Sequence, residues 1–163
     1  MKLSILYVSK TGRTREMAEE IKKGMESVSA VEARLFSLSD IDEEFLSQSR
    51  GVVFGTPTYY ANTCWQMKKW FDTSRKYNLS GKLGAAFATA DYTCGGADTA
   101  ILTLVGHMMV KGMLVYSGGS ALGKPYIHLG AVALKDRLDE AKPQFFIFGQ
   151  RIAQQAKAIE VKA

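Results

Sequence analysis

Residues Lys2–Val8 (KLSILYV) open the chain with a short apolar run whose composition suits a buried strand. The period then changes. From Arg13 to about Ser27, Met17, Ala18, Ile21 and Met25 recur at helical spacing with charges opposite, which predicts an amphipathic helix. Val31–Phe36 (VEARLF) alternates like an edge strand, and Ile41–Leu46 predicts a short helix capped by Ser39 or Asp40. Gly51–Gly55 (GVVFG) is continuously apolar, the pattern of a strand covered on both faces.

Thr63–Phe71 returns to helical spacing, with Met67, Trp70 and Phe71 on one side. Lys82–Ala90 (KLGAAFATA) reads as a fourth strand rich in small residues, Ala97–Val110 as a strongly apolar helix, and Gly112–Tyr116 (GMLVY) as a fifth strand. Ser117 to about Leu134 reads as a long loop before a last helix, which Pro143 starts or kinks. No repeat interrupts the alternation. It predicts a single α/β domain over residues 1–163, a doubly wound three-layer sandwich with a five-stranded parallel sheet and helices on both faces. Ligands of such sheets lie beyond the carboxyl ends of the strands, where the winding reverses, so the loops after the first, third and fourth strands matter most.

Charge adds one constraint. Lys and Arg number 21 against 16 Asp and Glu, a formal +5, and Lys68, Lys69, Arg75 and Lys76 cluster past the middle. That balance suits NAD(P)H phosphates or an acidic protein partner. Nucleic acid is not expected, because no basic stripe is interleaved with aromatics. The apolar runs are too short for a bilayer, and Met1 leads straight into a strand without a signal-like leader, so a soluble cytoplasmic protein without a membrane partner is expected. Cys64 and Cys94 fit neither a zinc nor a CxxC spacing, and no metal site is expected.

The first of the three loops, Ser9-Lys10-Thr11-Gly12-Arg13-Thr14, places three hydroxyls around one glycine at a helix start. It is neither a P-loop nor GxGxxG. Backbone N–H groups and the positive helix end favour an anion there, and a terminal phosphomonoester would fit; plain N-capping by Ser9 or Thr11 would need only one of the hydroxyls. The second loop, Thr56-Pro57-Thr58-Tyr59-Tyr60-Ala61-Asn62, carries two tyrosines able to stack on a flat ring. The third, Thr89-Ala90-Asp91-Tyr92-Thr93-Cys94-Gly95-Gly96, joins an aromatic to two glycines that permit close backbone approach. Together they describe a pocket for a planar ring tethered to a phosphate.

Ile5-Leu6-Tyr7-Val8-Ser9 with Gly12, Thr14, Ala18 and Ile21 resembles the flavodoxin signature, and "FGTPTYYAN", "FATADYTCGGADTAILTL" and "GQRIAQQAKAI" resemble the flavodoxin-like NAD(P)H:quinone oxidoreductases of the tryptophan-repressor-binding type. The resemblance implies a flavodoxin-like sheet in the order 2-1-3-4-5 and FMN as cofactor. Ser9, Lys10, Thr11, Gly12, Arg13 and Thr14 would hold the phosphate; Pro57, Thr58, Tyr59, Tyr60, Asn62, Thr89, Ala90, Asp91, Tyr92, Gly95 and Gly96 would flank the ring.

Departures from the pattern sharpen the expectation. Only about a dozen residues separate Phe36 from Gly51, too few for the insertion with which those oxidoreductases build tetramers, and Val110-Lys111-Gly112-Met113 stands where they carry His-His-Gly-Met. His107 reads as structural. Electron-carrier flavodoxins use a glycine-bearing second loop whose peptide can turn toward the half-reduced flavin; here Ala61 takes that place, and a positive φ costs Ala more than Asn62. Two-electron chemistry is therefore expected, with FMN passing electrons from NAD(P)H to a quinone or other small acceptor and no side chain as obligatory acid or base. The alternative is a non-enzymatic carrier between redox protein partners; a scaffold without flavin is a third option. The run Phe145-Phe146-Ile147-Phe148 exceeds what one sheet face can bury and points to a homodimer.

Overall fold

The structure, a computed structural model, describes residues 1–160. Its elements are β1 (Lys2–Tyr7), α1 (Arg13–Glu26), β2 (Glu32–Ser37), α2 (Glu43–Gln48), β3 (Gly51–Tyr59), β4 (Asn62–Thr63), α3 (Trp65–Thr73), β5 (Leu83–Ala90), α4 (Ala97–Val110), β6 (Leu114–Val115), β7 (Ala131–Leu134) and α5 (Leu138–Glu160). The parallel sheet runs β2-β1-β3-β5-β6, which is the expected order with β5 and β6 as fourth and fifth strands. Period-two alternation divides the core. Leu3, Ile5, Val53 and Phe87 face α1 and α5, whereas Leu6, Val52, Phe54 and Ala86 face α3 and α4.

Several boundaries differ from expectation for local reasons. α2 starts at Glu43, because Asp42 rather than Ser39 or Asp40 accepts from the Phe45 amide at 2.9 Å. β3 runs on to Tyr59 and folds back through β4 as an antiparallel hairpin, pairing Thr58 with Thr63 and Tyr59 with Asn62. That hairpin consumes the first residues expected of the next helix, so α3 begins at Trp65.

The larger correction concerns the fifth strand. β6 covers only Leu83–Gly84 of β5, and β7, within the stretch expected to be loop, covers Phe87–Ala90. One sheet position is thus filled by two pieces, with residues 116–130 making an excursion between them. Left-handed Gly118 (φ 93°) and Gly119 (φ 66°) turn the chain off the edge just after Tyr116 donates to the Gly84 carbonyl at 2.7 Å. Arg151, 7% exposed, braces the detour. Its Nη1 donates to the carbonyls of Gly118, Gly119 and Pro125 at 3.2, 3.3 and 3.0 Å, and its Nη2 to those of Leu122, Gly123 and Lys124 at 3.4, 3.1 and 3.4 Å.

Pro143 lies inside α5 rather than at its start, at a position where the missing N–H forgoes one bond to the preceding turn. Phe145 and Phe148 are fully buried, Phe145 edge-on to Phe87 at 5.6 Å, while Phe146 and Ile147 are half-buried. Sheet and neighbouring helix share the run, so it gives no reason to invoke a second subunit. The closeness of α1 and α5 explains how. A β-carbon on Gly24 would stand 1.9 Å from the Phe146 carbonyl oxygen, and one on Gly149 2.1 Å from that of Ile21. Among the described residues, no helix is long and apolar enough to cross a membrane.

Candidate functional site

The carboxyl ends of β1, β3 and β5 open into one cleft of about 380 Å³. Loop one enters α1 through Gly12, whose φ of 91° only glycine adopts without strain and whose missing side chain leaves open space. No side chain caps from this position. The first amides of α1 therefore point outward with the positive end of the helix dipole behind them. Ser9 does the ordinary capping, its Oγ accepting from the Arg15 amide at 3.3 Å.

Loop two is the hairpin tip. Tyr60 (φ 48°) and Ala61 (φ 57°) both take the left-handed conformation, the signature of a tight turn between antiparallel strands. Asn62, expected to tolerate that geometry best, instead lies in the returning strand, where its Oδ1 accepts from the Thr63 amide at 2.7 Å. Pairing with β3 outweighed the residue preference at position 61. The turn displays Tyr59 and Tyr60, both exposed.

Loop three runs from the end of β5 to Gly96, whose φ is 86°. It is tied to loop one twice. At the floor of the cleft Thr14 Oγ1 and Thr89 Oγ1 are 2.8 Å apart and buried; at the rim Arg13 Nη1 donates to Asp91 Oδ1 at 3.1 Å. Asp91 Oδ2 also faces Lys135 Nζ at 3.7 Å, and that ammonium stands 5.1 Å from the centre of the Tyr92 ring.

Lys10, Thr11, Arg13, Thr14, Pro57, Thr58, Tyr59, Tyr60, Thr89, Ala90, Asp91, Tyr92 and Gly95 all line this cleft, together with Ala61. The remaining expected residues sit around it. Ser9 borders a neighbouring hollow with Ser37 and Trp65, Asn62 lines an outer groove beside Tyr60, Gly12 caps the start of α1 within loop one, and Gly96 packs against Ala61. Lys135 escaped the sequence reading, because the AVAL run before it is too short to declare itself a strand. His107 lies against the Phe71 ring at 4.9 Å, away from the cleft, and desolvation holds its pKa below the usual imidazole value. Cys94 is exposed and His128 lies on the surface of the excursion.

The cleft fits FMN on its own chemistry. Loop one offers outward amides, the Thr11 hydroxyl and the cations Lys10 and Arg13 to a phosphate, while Tyr59, Tyr60 and Tyr92 surround space for a planar ring. Sheet order and cleft together define a doubly wound sheet with an open cleft at its topological switch point, the place where such folds bind ligands. Comparison with known proteins agrees. The Flavodoxin family profile matches residues 5–114. A flavodoxin of Clostridium saccharobutylicum is 52% identical over 98% of this chain and 99% of its own. An NAD(P)H dehydrogenase (quinone) of Geotalea daltonii is 28% identical over 80% of this chain and 74% of its own. The solved structure of a flavodoxin from the domain Archaea superposes with a TM-score of 0.80 at 26% identity, covering 96% of this chain and 99% of that one. The chain belongs to the flavodoxin family, whose cofactor is FMN.

Proposed function

We propose that this protein is an FMN-dependent electron carrier that passes electrons between redox protein partners. The observation that carries this reading is the 52% identity to a flavodoxin along essentially the whole chain, against 28% to a quinone dehydrogenase over a shorter part. A second observation bears on Ala61: the hairpin tip adopts the left-handed conformation without glycine, although glycine would let its peptide turn more freely. Reduction of a small acceptor by NAD(P)H, the reading first drawn from the sequence, rests on the weaker likeness.

Bound FMN would accept and release electrons; the protein's part is to hold it and set its surroundings. In this reading the amides after Gly12, with Lys10, Thr11 and Arg13, hold the phosphate. Tyr59, Tyr60 and Tyr92 cover the ring, and Thr89, Ala90 and Gly95 line the wall beside it. The exposed tyrosines at the rim give a partner protein short access to the ring edge.

An anaerobic titration of the FMN-loaded protein tests the reading. Stepwise dithionite should build up the one-electron-reduced flavin, visible as a long-wavelength band, while NADH and NADPH alone leave the flavin oxidised. Rapid bleaching by either nucleotide without that band would replace the carrier reading with the reductase one.

A further inference from the structure

Asp91 joins two loops and two cations at the mouth of the cleft. Arg13, the first residue of α1, reaches it at 3.1 Å from the loop-one wall, and Lys135, just after β7, reaches its other oxygen at 3.7 Å from the opposite side. The Lys135 amide also donates to the Ala90 carbonyl at 3.0 Å, which pins the base of loop three. The same two loops are already joined at the buried floor by Thr14 and Thr89. Holding the scaffold together therefore does not require a second link at the rim. Arg13, Asp91, Thr14 and Thr89 all line the cleft.

We propose that Arg13, Asp91 and Lys135 form a clasp that closes the mouth over bound FMN and slows its release. The inference rests on the reading of the cleft as the FMN site. The pair is half-exposed, 39% and 53% for Arg13 and Asp91, and water screens it. FMN filling the space beneath excludes water from one side of the pair, which strengthens it in the loaded state. The clasp thus acts mainly on the way out. Lys135 keeps Asp91 aimed inward and, by standing over Tyr92, holds that ring at the rim. Asp91 is a positioning residue in this arrangement and need not touch the cofactor.

The test is the rate at which isotopically labelled FMN leaves the loaded protein in the presence of excess unlabelled FMN, for the wild type, Asp91→Asn, Arg13→Gln and the double variant. Asp91→Asn should release FMN about three- to tenfold faster, with an unchanged association rate and an unchanged apoprotein melting temperature. The double variant should release no faster than Arg13→Gln alone. Added salt should accelerate the wild type toward the Asp91→Asn rate, a readout that needs no variant to fold. Unchanged release in Asp91→Asn overturns the clasp, and slower release would make Asp91 a competitor of the phosphate for Arg13. If apoprotein stability falls in parallel with the change in release, the link is structural and the clasp is again overturned. A wild type that binds no FMN overturns the cofactor site itself.

Discussion

Gly96 and Ala61 meet backbone to backbone: a β-carbon on Gly96 would stand 2.4 Å from both the Cα and the Cβ of Ala61. Loop three therefore supports the hairpin tip directly, and the two walls of the cleft are one unit. Gly96→Ala adds a clash with main chain to the strain of an Ala at φ 86°. It should lower folding stability by about 1–3 kcal/mol in urea titrations and weaken FMN binding at least tenfold in fluorescence titrations. Full-strength binding in a folded variant would separate the two walls.

Ala61 makes the opposite case. Its left-handed φ costs about 1 kcal/mol relative to glycine, but glycine loses a similar amount through its freer unfolded chain. Ala61→Gly should accordingly leave stability within about 0.5 kcal/mol. Its effect belongs to redox behaviour, because a glycine there lets the tip peptide turn at little cost. Stepwise reduction should give a severalfold larger maximum of the one-electron-reduced flavin than in the wild type. An unchanged maximum would mean that the tip peptide plays no part.

Between α1 and α5 the limiting contact is also glycine on backbone. Alanine is the better helix former by about 1 kcal/mol, yet Gly24→Ala would set a methyl 1.9 Å from the Phe146 carbonyl oxygen. The clash wins because neither helix can retreat without unseating Phe145 and Phe148. A net loss of about 2 kcal/mol is expected in denaturant unfolding, with FMN affinity preserved, since the contact is remote from the cleft.

Arg151 holds the excursion through six carbonyl contacts and no carboxylate. Arg151→Met keeps the buried stem but removes every donor. Several of the freed carbonyls can turn to water, which limits the loss to about 2–4 kcal/mol. The distinguishing signature is local: amide exchange should rise in residues 118–125 and along β7 well before it rises in β1 or β3.

The strands and helices that bury whole faces were legible in the sequence, because Lys2–Tyr7, Leu83–Ala90 and α1 each carry an uninterrupted period. The loops after them were legible too, since hydroxyls, glycine and aromatics recur where the switch point places them. What escaped depended on distant partners. β4 and β7 are too short to declare themselves, and each exists because an edge of β3 or β5 offers hydrogen bonds. Arg151, far down the last helix, gives no local hint that it braces residues 118–125. Asn62 was favoured over Ala61 for a positive φ by residue preference, and register along β3 decided otherwise. Lys135 joined the site only once β7 became a strand.

His107 offers a pH-dependent test of the core beside α3. Its Nε2 is buried with no hydrogen-bond partner among the described residues, and the ring lies against Phe71. Desolvation lowers its pKa from 6.5, Lys68 lowers it further, and Asp72 opposes both. The folded state therefore binds this proton less readily than the unfolded state does. Stability from the neutral ring is complete above about pH 6.5 and is lost as pH falls from there through the lower folded value. His107→Leu removes the group and with it this part of the slope. The melting temperature of the variant, relative to wild type, should rise steadily as the pH is lowered from 7.5 toward 5.5, the range spanning the unfolded value. Parallel melting curves over that range would show that His107 keeps an ordinary pKa in the fold and that its burial costs the protein nothing on protonation.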